Sequence, residues 1–302
     1  MENSRRYLNP ETLAKLTGLG LKARLIIEGF ISGLHRSPYR GFSVEFAEHR
    51  EYVPGDDLRY VDWKVYGKTD RYYLKQYEEE TNFVCYILLD ASESMSYQSA
   101  SAAMSKLEYA KCVAATIAYL VLHQQDAVGL VTFDNAIREQ IRPSTQPSHL
   151  NQLIKVIETT SPQGETSLGG ILHQLAERLT HNSVVILISD LFDDLDSLSM
   201  GLKHLRHRRH DVSLMHVIDP AEQDFPFEDP TLFKGLEQTI EHYAEPRSLQ
   251  TAYRREFESF LTEVQRTTRD MHMDYALLRT DTTLDVALSS FLTTRQRHAA
   301  KR

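Results

Sequence analysis

Two short unbroken apolar runs constrain this chain most: Val84-Cys85-Tyr86-Ile87-Leu88-Leu89 and Val184-Val185-Ile186-Leu187-Ile188. Both are too short for a buried helix and lack the polar alternation of a half-exposed strand, so each reads as a strand covered on both faces. Each also ends in a carboxylate. Asp90 follows the first run directly, and Asp190 follows the second after Ser189.

The chain around these runs alternates strand and helix. After the first strand, apolar positions predict a helix over 106–125, a strand over 126–133 and a short strand over 136–141. Amphipathic helices follow, marked by Leu150, Leu153, Ile154 and Ile157, and then by Leu168, Ile171, Leu172, Leu175 and Leu179. Beyond the second apolar run come a helix near 196–208, a strand over 212–218, and an irregular or hairpin-like stretch over 220–247 carrying Pro220, Pro226, Pro230 and Pro246. A long helix over 248–268, a strand over 275–278 and a helix over 283–292 complete the chain. Repeated βα units with near-continuous apolar strands predict an α/β fold, an open and mostly parallel sheet with helices on both faces.

Upstream, residues 1–30 carry a helical period that Gly18 and Gly20 break in two. Residues 33–80 read as loops and short strands. The expected division is therefore an N-terminal helical and irregular charged segment, 1–82, packing on a main domain, 83–302, with a hairpin-like insertion near 220–247.

Composition narrows the function class. With 41% apolar and 25% charged residues the chain can bury a core, and a net charge of −8 argues against nonspecific nucleic-acid binding by the whole surface. Cys85 and Cys112 both lie in apolar segments and read as core thiols, so no cysteine-based metal or redox motif is expected. No signal-peptide h-region and no bilayer-length apolar stretch is visible, which predicts a cytoplasmic protein without membrane insertion.

The residues that follow the first strand carry the chemistry. Asp90, Ser92 and Ser94 place three hard oxygen groups at alternate positions in a tight loop, a set suited to a small hard cation such as Mg²⁺ or Mn²⁺. In an open α/β sheet this is also the edge where ligands bind. Parallel neighbouring strands would bring Asp190 to the same edge, and the loop Gly164-Glu165-Thr166-Ser167 offers a further hydroxyl from Thr166, with Ser167 as the competing donor. The alternative reading of the Asp90 loop is an aspartate that caps a turn or helix.

This constellation resembles the metal-ion-dependent adhesion site of von Willebrand factor A domains: Asp-x-Ser-x-Ser, a threonine in a Gly-x-Thr loop, and an aspartate after a later strand. The resemblance implies a von Willebrand factor A-like, Rossmann-like fold. It implies that Ser92, Ser94 and Thr166 contact the metal directly, while Asp90 and Asp190 act mostly through bound water. It also implies one open coordination position for an acidic side chain of a protein partner.

A second stretch is more distinctive. His35-Arg36-Ser37-Pro38, Gly41 to Tyr52, and Pro54-Gly55-Asp56-Asp57-Leu58-Arg59-Tyr60-Val61-Asp62-Trp63-Lys64 resemble the bacterial domain of unknown function 58 family, as do 106–110, 126–130 and 216–220. That resemblance implies association with a MoxR-type AAA+ ATPase, and so a non-catalytic, Mg²⁺-dependent interaction module or adaptor in complex assembly or maturation. Physically, the segment reads as charge-paired packing anchored by Trp63. Its alternative is a docking surface formed by Glu45, Arg50, Asp56, Asp57, Arg59, Asp62 and Trp63.

Three competing readings remain. A metal-dependent phosphohydrolase of haloacid-dehalogenase-like type would use Asp90 as nucleophile and draw on Thr132 and Asp193 or Asp194. Such an enzyme needs an acid two residues after the nucleophile, where this chain has Ser92. The run from Lys203 to His210 reads as a helix C-terminus complementing the macrodipole rather than a nucleic-acid or zinc site. Asp193, Asp194 and Asp196 read as a solvated loop and helix N-cap.

Overall fold

The structure is a computed structural model and describes residues 18–34, 49–51, 73–75, 84–180, 182–236, 241–284, 286 and 288. The chain separates into two compact units, residues 1–32 together with 83–302, and residues 33–82.

In the second unit the described elements are β1 (His49–Glu51) and β2 (Tyr73–Lys75), an antiparallel pair in which Arg50 stands opposite Leu74. Of the expected docking residues, Glu45, Asp56, Asp57, Arg59, Asp62 and Trp63 lie outside the described residues.

The first described helix is α1 (Leu19–Leu34), which belongs to the first unit up to Ser32. Gly18, at φ +86°, precedes it. Gly20 does not break the run as expected. It lies inside the helix, where an added Cβ would come 3.3 Å from Ile154 Cδ1, so the missing side chain permits close packing. Leu19, Ala23 and Ile26 enter the same core as Cys112, Ile117 and Leu153.

Along the chain follow β3 (Val84–Asp90), α2 (Lys106–His123), β4 (Ala127–Phe133), β5 (Ile137–Ser144), α3 (His149–Thr159), α4 (Leu168–Arg178), β6 (Val184–Ser189), α5 (Leu195–His207) and β7 (Asp211–Ile218). After them come α6 (Pro220–Asp224), β8 (Thr231–Lys234), β9 (Glu241–Ala244), α7 (Pro246–Asp270) and β10 (Asp274–Arg279). The stretch expected to be irregular thus opens with a short helix. Asp219 starts it with a capping box, accepting from Ala221 N at 2.8 Å while Glu222 accepts from Asp219 N at 2.8 Å. The rest is the β8–β9 hairpin.

Six strands form one sheet in the order β10-β7-β6-β3-β4-β5. Every pair is parallel except β4–β5, where β5 turns back as an antiparallel edge. Strand alternation divides the core between the faces. Cys85, Ile87, Leu89, Val184, Ile186 and Ile188 pack with α1, α2 and α3. Tyr86, Leu88, Val185 and Leu187 pack with α4 and α5. Burial on both faces is why these strands contain no polar alternation.

α4 and α5 meet closely because glycine stands at the contact: a Cβ on Gly169 would lie 2.0 Å from Ser197 Oγ and 2.6 Å from the Ser197 carbonyl oxygen. Both cysteines are buried, and burial pushes the Cys112 thiol up to about 12. Among the described residues no helix is long and apolar enough to cross a membrane.

Candidate metal centre

The strand order reverses direction at β3 and β6, the first strand and the one that follows the long return. The crevice at their carboxyl ends is the ligand-binding position of such sheets. Leu89 stands opposite Ile188 in the register, so Asp90 and the pair Ser189-Asp190 emerge together. All three are fully buried.

The two carboxylates sit in different company. Asp90 Oδ1 accepts from Ser92 N at 2.9 Å, and Oδ2 accepts from Ser189 Oγ at 2.6 Å. Both donors are neutral. Burial, and then the adjacent Asp190 charge, push the Asp90 carboxyl up to about 7. Asp190 Oδ2 instead accepts from the Lys106 ammonium at 2.8 Å, and Oδ1 from Phe192 N at 3.3 Å. Burial alone would raise Asp190, but Lys106 and a hydrogen bond from Ser94 outweigh it and hold the group low. Ser94 also lies 3.1 Å from Ser92, hydroxyl to hydroxyl. The hydroxyls therefore link one carboxylate to the other across the crevice.

A third loop closes on these two. Gln163 N donates to Ala91 O and Glu93 N donates to Gly164 O, each at 2.9 Å. These bonds clip the loop after α3 to the loop after β3, and they bring half-buried Thr166 to the same edge. Gly164 holds φ +70°, a left-handed conformation costly for any residue with a Cβ. The loop is braced from β4. Asp134, buried just beyond that strand, accepts from Ala136 N at 2.9 Å and from the Arg138 guanidinium, which also donates to Gln163 Oε1 at 2.8 Å. Ser167 stands at the N-cap position of α4, with its Oγ 3.3 Å from where a Cβ on Gly170 would be.

The structure thus brings Asp90, Ser92, Ser94 and Asp190 together and carries Thr166 to the same edge on its clipped loop. It also adds two residues that the sequence reading did not assign to this site. Lys106, at the start of α2, is fully buried and donates to Glu222 Oε1 at 2.6 Å as well as to Asp190. Its Nζ lies 4.9 Å from the centroid of the Phe192 ring. A cation in the first turn opposes the helix macrodipole, and that is the signal in the sequence that could have marked it. Glu222 could have been found as the last residue of the Asp219-Pro220-Ala221-Glu222 capping pattern, three positions after the cap.

The donor set suits a hard divalent ion: two carboxylates and neutral hydroxyls, with no sulfur or imidazole among these five residues. The physical fit lies in charge. Asp90 and Asp190 are buried together, yet of the two only Asp190 is bonded by Lys106, which shares its charge with Glu222.

The acids after Asp190 have local duties. Asp194 caps α5 by accepting from Ser197 N at 2.8 Å, as expected, and Asp193 accepts from Gly169 N at 3.2 Å. In the basic run, Arg208 donates to Ala176 O at 3.1 Å and Glu177 Oε2 at 2.8 Å, and buried His210 lies 2.8 Å from Ser183 Oγ.

The model of the family described as "Protein of unknown function DUF58" matches residues 48–267. The chain belongs to the DUF58 family. Curated relatives agree in extent: uncharacterized protein Mb1516 of Mycobacterium bovis and uncharacterized protein Rv1480 of Mycobacterium tuberculosis are each 24% identical over 298 residues, covering 96% of this chain and 92% of theirs. Among solved structures, the conserved hypothetical protein BatB of Bacteroides thetaiotaomicron is 18% identical and covers 72% of this chain and 99% of its own, at a TM-score of 0.49. The SpRpn10 VWA domain is 17% identical and covers 45% and 75%, at a TM-score of 0.33.

Proposed function

We propose that this DUF58 protein is a divalent-cation-dependent protein-interaction module. The observation that carries the reading is Asp90, a fully buried carboxylate at the sheet's switch point whose hydrogen bonds come from the neutral donors of Ser92 and Ser189. Leaving such a charge uncompensated is costly, and a bound cation removes the cost. Asp90, Asp190, Ser92, Ser94 and Thr166 would hold Mg²⁺ or Mn²⁺. The ion would supply a Lewis-acidic position open to an anionic oxygen. The chain's residues keep that position available: Ser92 and Ser94 are neutral donors, so they leave positive charge on the ion for a partner's carboxylate.

Binding rather than catalysis fits the surroundings. Position 92 is a serine engaged with Ser94, and Asp193 and Asp194 are occupied by backbone amides. The partner we propose is a MoxR-type AAA+ ATPase or its client, presenting an Asp or Glu side chain. Pulldown of such a partner by wild type and by Asp90→Ala, each with Mg²⁺ and with EDTA, tests this. Recovery is expected only with wild type in Mg²⁺, and equal recovery in all four conditions would exclude a metal bridge.

A further inference from the structure

We infer that Lys106 is a built-in counter-cation that makes the Asp90–Asp190 crevice take up a divalent ion and an anionic group together, rather than the ion alone. This rests on the metal reading above and deepens it by naming the residue that sets the charge of the loaded site.

The side chain of Lys106 is fully buried, and its Nζ is shared between Asp190 at 2.8 Å and Glu222 at 2.6 Å. These acids come from different segments, the end of β6 and the first turn of α6. Bonded to two carboxylates at these distances, the side chain stands as an ammonium and places one positive charge beside Asp190. With Asp90, the group contains three carboxylates and one ammonium. One divalent ion cancels their net charge and leaves a centre that an anionic oxygen can approach. Without Lys106 the loaded centre would carry a net negative charge and repel that oxygen. Lys106 therefore weakens the hold on the ion alone and strengthens the hold on an anion at the ion. Glu222 acts in the opposite sense, because it offsets part of the Lys106 charge.

The two residues give variants with opposite signs, which a purely structural role would not. Mn²⁺ binding is followed by the electron paramagnetic resonance signal of the free ion, with acetate as the anionic probe and chloride as control. Lys106→Met should bind Mn²⁺ about tenfold more tightly and lose the response to acetate, since one charge in a buried site is worth at least that much. Glu222→Gln should bind Mn²⁺ more weakly in chloride and regain affinity in acetate. If Lys106→Met does not fold, the Glu222→Gln result decides alone. Weakened Mn²⁺ binding in both variants, or a wild-type affinity indifferent to acetate, would overturn the inference and leave the metal reading standing. Absence of Mn²⁺ binding in every form, wild type included, would overturn both.

Discussion

Replacing Asp90 with asparagine should stabilise the metal-free protein above neutral pH while abolishing its response to metal. The carboxyl is raised from 3.8 to about 7 by burial and by Asp190. A folded-state value above the unfolded one means that the group penalises folding only when ionised. The penalty is absent below the unfolded value, grows as pH rises between the two, and is complete above the folded one. A shift of this size corresponds to about 4 kcal/mol, at about 1.4 kcal/mol per unit. Asparagine removes that penalty, but its amide fits the Ser92 N–H and Ser189 hydroxyl donors less well, which costs about 1–2 kcal/mol. A net gain of roughly 2–3 kcal/mol is therefore expected at alkaline pH, shrinking to a net loss as pH falls toward the unfolded value. Urea unfolding with EDTA at both ends of that window measures it. Mg²⁺ should stabilise wild type and leave Asp90→Asn unchanged. Equal destabilisation of the variant at both pH values would refute the idea that Asp90 is a charge waiting for a cation.

Other consequences follow from neighbouring residues. His216 is fully buried with its Nδ1 2.8 Å from Tyr275 Oη, and burial and then Lys106 pull it down to about 4 against the opposing Asp190 charge. The unfolded chain thus binds a proton that the folded one does not between about pH 6.5 and 4, so stability should fall by about 3 kcal/mol as pH drops through that window. His216→Gln should flatten the dependence in acid-denaturation curves. Gly169→Ala forces a Cβ into Ser197 and should cost about 1–3 kcal/mol in urea midpoint shift, with metal binding retained. Thr166→Ala should weaken Mn²⁺ binding in calorimetric titration and Ser167→Ala should not; the reverse ranking would assign the ligand to Ser167.

The sheet was readable because β3 and β6 are covered on both faces, and that requirement writes an uninterrupted apolar run into each. Their closing aspartates were readable because the apolar run stops where the strand ends, and Asp90 and Asp190 are the acids at those ends. The antiparallel turn-back of β5 was not readable, because edge strands such as Ile137–Ser144 carry mixed polar residues in either direction. Gly20 misled because a glycine signals either a break or a close contact, and only the position of Ile154 tells which. Lys106 and Glu222 escaped because their partnership spans 116 residues of chain. Burial reverses the usual reading of a charged residue as solvated surface, and no local pattern records burial. The bracing of Gly164 by Asp134 and Arg138 is hidden in the same way.

The central claim is that the crevice between β3 and β6 holds a divalent cation, and calorimetric titration of Mn²⁺ into the purified chain tests it most directly. One ion should bind per chain, competed by Mg²⁺ and lost in both Asp90→Ala and Ser92→Ala. Failure of the wild-type protein to bind Mn²⁺ or Mg²⁺ in the presence of acetate, or binding undiminished in Asp90→Ala, would contradict it.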